Sequence, residues 1–178
     1  MLSILTSCAQ VETKSKVSIQ SSEFSFLVDA EKAQALKSII DKEMIYIEGI
    51  AEEDFKAEIK SLVAAILVVD YKKNNCSIGQ IACSTQSHIN TLFINDYFFM
   101  VPSSEQFTSF LHEAWHLKST NFEHTKCLKQ PEWGYECDDD INSPYGIEYK
   151  YLLHKYMHTK DDNIAQLLLK IRSRLNNF

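Results

Sequence analysis

The chain has 178 residues, of which 45% are hydrophobic and 24% charged, the proportions of one globular domain long enough to bury a core. A net charge of −6, with no Lys/Arg run, excludes the basic footprint of a nucleic-acid binder. Four Gly and three Pro exclude collagen-like, linker-rich and many-turned all-β chains, so helix should dominate.

Residues 1–8 end in Leu5-Thr6-Ser7-Cys8, which resembles a bacterial lipobox, the site at which a lipoprotein is cleaved and lipidated on Cys. Seven residues are too few for a working signal and no Lys or Arg precedes them, so the signal is expected to begin upstream. The longest apolar run, Leu62–Val69, is far too short to span a bilayer. Membrane contact is therefore expected only through a lipid on Cys8. Of five cysteines, that leaves Cys76, Cys83, Cys127 and Cys137 as two sequence-local pairs. Outside the cytoplasm they should oxidise, most simply as Cys76–Cys83 and Cys127–Cys137, the other two connectivities staying open. Neither pair has the tight spacing of a Cys₄ zinc site.

Residues 9–22 are polar and read as a tether, with the domain at 23–178. Phe24–Val28 reads as a strand, and Asp29 as the cap of a helix over Ala30–Glu43 with Ala33, Leu36, Ile39 and Ile40 on one face. Met44–Ile47 reads as a short strand. A helix from about Glu52 carries Phe55, Ile59, Leu62, Val63 and Ile66 at helical spacing. Cys76–Ser87 reads as a polar connection, and Thr91–Met100, rich in aromatic and β-branched residues, as a strand. Pro102 stops that strand, and Ser103 with Gln106 reads as a capping box for a helix from Ser104.

That helix contains His112-Glu113-Ala114-Trp115-His116, an H-E-x-x-H. Residues four apart share a helix face, so the two imidazoles can grip one Zn²⁺, with the Glu between them placed to act on a metal-activated water. Phe107, Phe110, Leu111 and Ala114 form an adjoining apolar stripe that can bury one flank. Asn121–Asn142 is a long irregular stretch, as functional or stapled loops are. Ser143-Pro144 opens a helix with Tyr149, Leu152, Leu153 and Tyr156 as its core face. Asp161 or Asp162 caps the last helix, striped with Ile164, Leu167, Leu168, Ile171 and Leu175.

Strand, short link, H-E-x-x-H helix and later helix resemble the zincin metallopeptidases. The resemblance implies an α+β, mainly helical zincin-like domain with a small sheet, in which Phe93–Phe99 lies along the cleft and pairs with extended peptide. It implies His112 and His116 as zinc ligands and Glu113 as general base. A third ligand is required. The metzincin extension is absent, since Ser119 and Phe122 stand at its Gly and last His positions. His124 ranks first. Asp138-Asp139-Asp140-Ile141-Asn142-Ser143-Pro144-Tyr145-Gly146 is similar to the aspzincin Gly-Thr-x-Asp-x-x-Tyr-Gly, but lacks Gly-Thr and has Asn142 at the Asp position. Asp140 or Asp138 is the second candidate, and Glu148, as in gluzincins, the third. Tyr145 is the candidate oxyanion donor. His124-x-x-Cys127, Cys137-Asp138 and Tyr145-Gly146 also resemble a group of secreted bacterial proteins that carry the same motif helix.

No phosphate loop and no nucleophile elbow occur, and oxidised cysteines leave no thiol nucleophile. His88, His154 and His158 read as surface residues. The expected function is hydrolysis of peptide or protein by a zinc metallopeptidase held outside the cytoplasm, in the periplasm, on the outer membrane or secreted. The alternative is a non-catalytic zinc-binding envelope lipoprotein. Nothing in the sequence specifies an oligomeric state.

Overall fold

The computed structural model describes residues 15–19, 22–71, 76–77, 79–128 and 136–177. Cys8, and with it the expected lipid anchor, lies outside them. Within the polar stretch read as a tether, strand β1 (Ser15–Ile19) forms an antiparallel pair with β2 (Ser22–Leu27). Helices α1 (Ala30–Glu48) and α2 (Glu53–Val63) then carry the chain to β3 (Val68–Tyr71), parallel to β2. β4 (Ala82–Cys83) comes next, and then β5 (Thr91–Ile94), parallel to β3. The sheet order is β1-β2-β3-β5-β4, with β4 antiparallel to β5 at the edge. After the sheet come α3 (Ser103–Ser119), a small hairpin of β6 (Thr125–Lys126) and β7 (Glu136–Cys137), then α4 (Pro144–Thr159) and α5 (Asp162–Arg172). The α+β class is as the sequence implies.

Besides β1 in the tether and β4 in the stretch read as a polar connection, three elements differ from the sequence reading. Met44–Ile47 is not a strand but the last turns of α1. Leu36, Ile40, Met44 and Ile47 keep helical spacing and are all buried, and nothing breaks the helix before Gly49. The strand read over Thr91–Met100 stops at Ile94. There the Asn95 side chain accepts from Tyr97 N–H (3.0 Å) and starts a 3-10 turn over Asp96–Met100. Ser103 is inside α3, not its cap: Pro102 takes the cap position, and Gln106 donates instead to the Val101 carbonyl (2.8 Å). The caps at Asp29, Ser143 and Asp161 form as expected.

α3 runs through the centre. Phe107, Phe110, Leu111 and Ala114 pack into one core with Phe26, Val69, Leu92 and Ile94 of the sheet and the inner faces of α1 and α2. α4 and α5 share a second cluster around Leu152, Ile164, Leu167 and Ile171. The inner face of α4 is rotated from the expected one: Tyr151 is fully buried and Leu153 is exposed. The disulfides are Cys76–Cys83 and Cys127–Cys137, which is compatible with a location outside the cytoplasm. Among the described residues no helix is long and apolar enough to cross a membrane.

Candidate metal centre

His112 and His116 stand one turn apart on α3, both buried. The helix ends at Thr120, whose φ of 58° puts a β-branched residue in the left-handed region usually taken by Gly. That costs about 1–2 kcal/mol. The reversal turns the chain back alongside α3, so that the Asn121 carbonyl accepts from His116 Nδ1 (2.5 Å) and Phe122 stacks on the His116 ring. Two residues further on, at the foot of the β6–β7 hairpin, His124 swings in to face the other two. The Cys127–Cys137 disulfide closes that hairpin.

The Nε2 atoms of the three histidines converge. His112–His124, His116–His112 and His116–His124 are 3.2, 3.3 and 3.0 Å apart. Three corners of a tetrahedron with metal–nitrogen bonds of 2.0–2.1 Å would be about 3.3 Å apart. Each Nδ1 faces an oxygen, that of Glu148 for His112 (2.7 Å), the Asn121 carbonyl for His116, and Asp138 for His124 (2.8 Å), and the carbonyl and the ionised carboxylate, which only accept, hold the ring proton on Nδ1. With the proton held on Nδ1, the three Nε2 lone pairs point at one another. Nitrogens so placed repel one another unless a metal ion or a shared proton sits between them. The group can hold a metal ion.

Burial sets the protonation states. It lowers His112 and His116 to about 4, leaving both imidazoles neutral and ready to ligate at neutral pH. Burial lowers the pKa of His124 too, but its hydrogen bond to the Asp138 carboxylate and the negative charges of Asp138, Glu136 and Glu113 together outweigh this and raise it. Glu148, fully enclosed, is pushed up to about 8 by burial, against a hydrogen bond from Thr108.

Glu113 is buried beside the histidines, and the Ser84 hydroxyl donates to its Oε2 (2.7 Å). Burial raises its pKa, with His112 and Ser84 acting against that shift. Tyr145 opens α4, and its N–H donates to Asp138 Oδ2 (2.9 Å). Its ring packs edge-on against His112 (4.6 Å between centroids) and tilted on His124 (5.2 Å). Burial first, then the Glu148 charge, raises the phenol pKa, so the hydroxyl keeps its proton at neutral pH. Gly146 is required by packing, since a Cβ there would meet the Ile141 carbonyl at 2.1 Å. That close approach brings the Asp138–Asn142 loop against the start of α4.

These side chains open into a cleft of about 630 Å³. One wall is β4 with its flanks, residues 79–85; the other is α3, Phe122, Tyr145 and the end of α5. The strand lining the cleft is therefore not Phe93–Phe99, as expected. β5 is covered on that side by β4, which the Cys76–Cys83 disulfide holds in place.

Of the candidate third ligands, only His124 reaches the other two histidines. Asp138 and Glu148 brace the outer nitrogens of His124 and His112. Asp140 is exposed, its carboxylate accepting from Asn142 N–H (2.8 Å). Sequence reasoning missed Ser84, Thr108 and the Asn121 carbonyl. The first two carry no motif, and a backbone carbonyl leaves no signature at all. Compared with protein-family models, characterised proteins and solved structures, the chain matches none.

Proposed function

We propose that this chain is a zinc-dependent peptidase of the zincin type, with His112, His116 and His124 as ligands and Glu113 as general base. The observation that carries the reading is the set of three Nε2 atoms at tetrahedral-edge spacing, each braced through Nδ1, with a buried carboxylate beside them facing a cleft. Three imidazoles suit zinc, leaving one coordination position open as catalytic zinc sites require. When bound, the ion supplies Lewis-acid polarisation of water and of the scissile carbonyl.

The chain's own residues supply the rest. Glu113 takes the proton of the attacking water and later passes it to the leaving amine; its pKa, raised by burial, suits a group that must do both. Tyr145, protonated and against two ligand rings, donates to the developing oxyanion. Ala82 and Cys83 form the sheet edge beside which an extended peptide can lie, adding a strand through main-chain hydrogen bonds. The substrate is peptide or protein, met outside the cytoplasm, with Cys8 as lipid anchor.

Glu113→Gln tests the assignment. The variant should keep zinc with a stoichiometry of about one per chain and lose peptide hydrolysis by about 10²–10⁴-fold, the usual contribution of a general base. A peptidase activity that survives the change intact refutes the catalytic role. Zinc bound without any hydrolysis by the unmodified chain supports instead the non-catalytic zinc-binding module.

A further inference from the structure

We infer that the segment following α5 is the outer wall of the metal centre, and that Asn176 is a positioning residue for His124. The inference rests on the metal-binding reading of the three histidines.

His124 sits on the least rooted part of the site. The other two ligands belong to a central helix, whereas His124 lies between a helix end and a two-residue strand. Its bracing carboxylate, Asp138, also lies in a short irregular stretch after β7. The C-terminal segment holds both. Asp138 N–H donates to the Arg174 carbonyl (2.9 Å) and Asn176 N–H donates to the Asp138 carbonyl (2.8 Å), a two-bond parallel bridge centred on Leu175. Leu175 is 1% exposed, which anchors the segment in the interior. The backbone of Asp138 is thus fixed from outside while Oδ1 holds His124.

The Asn176 side chain ties down the other strand. Its Oδ1 accepts from Leu128 N–H (2.8 Å), and its Nδ2 donates to the Lys126 carbonyl (3.1 Å). The amide so mimics a strand partner on either side of Cys127. Nδ2 also lies 3.1 Å from Thr125 Oγ1, next to His124, and 2.7 Å from Asp139 Oδ1, next to Asp138. One side chain therefore touches the neighbours of the ligand and of its brace. Groups that bond a ligand directly typically govern about 10–100-fold in metal affinity, and Asn176, one step further out, belongs at the lower end of that range.

The test is zinc affinity, by competition with a chromophoric chelator, on the full chain and on Asn176→Ala, His124→Ala and the double variant. Asn176→Ala should bind zinc about 10-fold more weakly, the lower end of the range for direct partners. Its cobalt-substituted form should lose intensity in the visible absorption bands, as His124→Ala does. In the His124→Ala background the Asn176 change should cost nothing further. Metal-free Asn176→Ala must show the near-ultraviolet circular dichroism of the unmodified chain; should it not fold, Asn176→Asp, which keeps the acceptor for Leu128 and loses both donors, takes its place. Unchanged zinc affinity, or an equal loss with and without His124, overturns the inference. Failure of the unmodified chain to bind zinc or cobalt refutes the metal reading itself, a result distinct from either.

Discussion

Two buried carboxylates on neighbouring helices of one core have opposite surroundings. Glu43, on α1, receives the Tyr151 hydroxyl (2.5 Å) and the Lys155 ammonium on both oxygens (2.6 and 2.5 Å). Its charge is balanced and its acceptors are filled. Glu113, on α3, has one hydrogen-bonding residue among the described residues, Ser84, and opens onto a cleft beside three imidazoles. Burying an ionised carboxylate is expensive wherever it occurs. At Glu43 the expense is offset locally by an ion pair, which is how a structural charge is accommodated. At Glu113 it is left as acceptor capacity that water or substrate can use.

Substitution should separate the two. Glu113→Gln, the largest expected effect, removes hydrolysis and leaves the thermal midpoint of the metal-free protein unchanged or slightly raised, because an unsaturated buried carboxylate has gone. Glu43→Ala should do the reverse. It strands Lys155 and the Tyr151 hydroxyl in the core, at about 3–5 kcal/mol, or roughly 6–20 °C in Tm for a domain of this size. Activity per folded molecule should stay the same. Calorimetry and a peptidase assay on the same two preparations decide it; a Glu43→Ala protein with native Tm, or one folded but inactive, would collapse the distinction.

Acid sharpens the contrast further, because the metal site stores a pH dependence. His112 and His116 titrate near 6.5 when unfolded and at about 4 in the fold. Below 6.5 the unfolded chain binds more protons, so these two residues make the metal-free protein lose stability as pH falls from about 6.5 to 4. The loss is on the order of 3 kcal/mol for each. His124 acts in the opposite sense. Its raised pKa contributes stability that is complete below 6.5 and lost as pH rises through the folded value. Glu148, pushed up to about 8 by burial, and Glu113, also raised by burial, act in the same sense as His124 on acidification. The share of the lowered imidazoles is therefore read as a difference: in chelator, the urea midpoint of His116→Gln should lose less than that of the unmodified chain, or gain more, as pH falls from about 6.5 to 4. Identical profiles for the two proteins would mean that the His116 imidazole is not held neutral by burial.

Local signals announce most of the helices and the two histidines that α3 brings to the site. His112 and His116 were legible because their geometry is a property of the helix itself, four residues apart whatever the tertiary structure. His124 was legible only as a candidate, since its arrival depends on the left-handed Thr120, the disulfide-closed hairpin and the C-terminal bridge. Asp138 and Glu148 read as candidate ligands and stand in the structure at the outer nitrogens of His124 and His112, because a carboxylate aimed at a metal and one aimed at the far side of an imidazole have the same sequence signature. Met44–Ile47 misled through β-branched composition, where the periodicity continued from Leu36 and Ile40 was the stronger signal. The edge strand was misplaced for a different reason. Ala82–Cys83 is too short to show alternation, and its position comes from pairing with Phe93 and Ile94 across the sheet.

Ser84 gives the smallest and most discriminating prediction. It follows directly on that edge strand, so its hydroxyl reaches Glu113 only if β4 is seated against β5. Ser84→Ala deletes a hydrogen bond of about 0.5–1.5 kcal/mol, which translates to a rate loss of roughly 2–13-fold if the bond orients the base in the transition state. The loss should fall on kcat with KM unchanged, since the hydroxyl is spent on Glu113 and not on substrate. Replacing Cys76 and Cys83 together by Ser, which spares the Cys127–Cys137 disulfide beside His124, would loosen β4 and should reproduce that loss in the otherwise unmodified chain while adding little to it in Ser84→Ala. A rise in KM without change in kcat would place Ser84 on the substrate side of the cleft and break its link to Glu113.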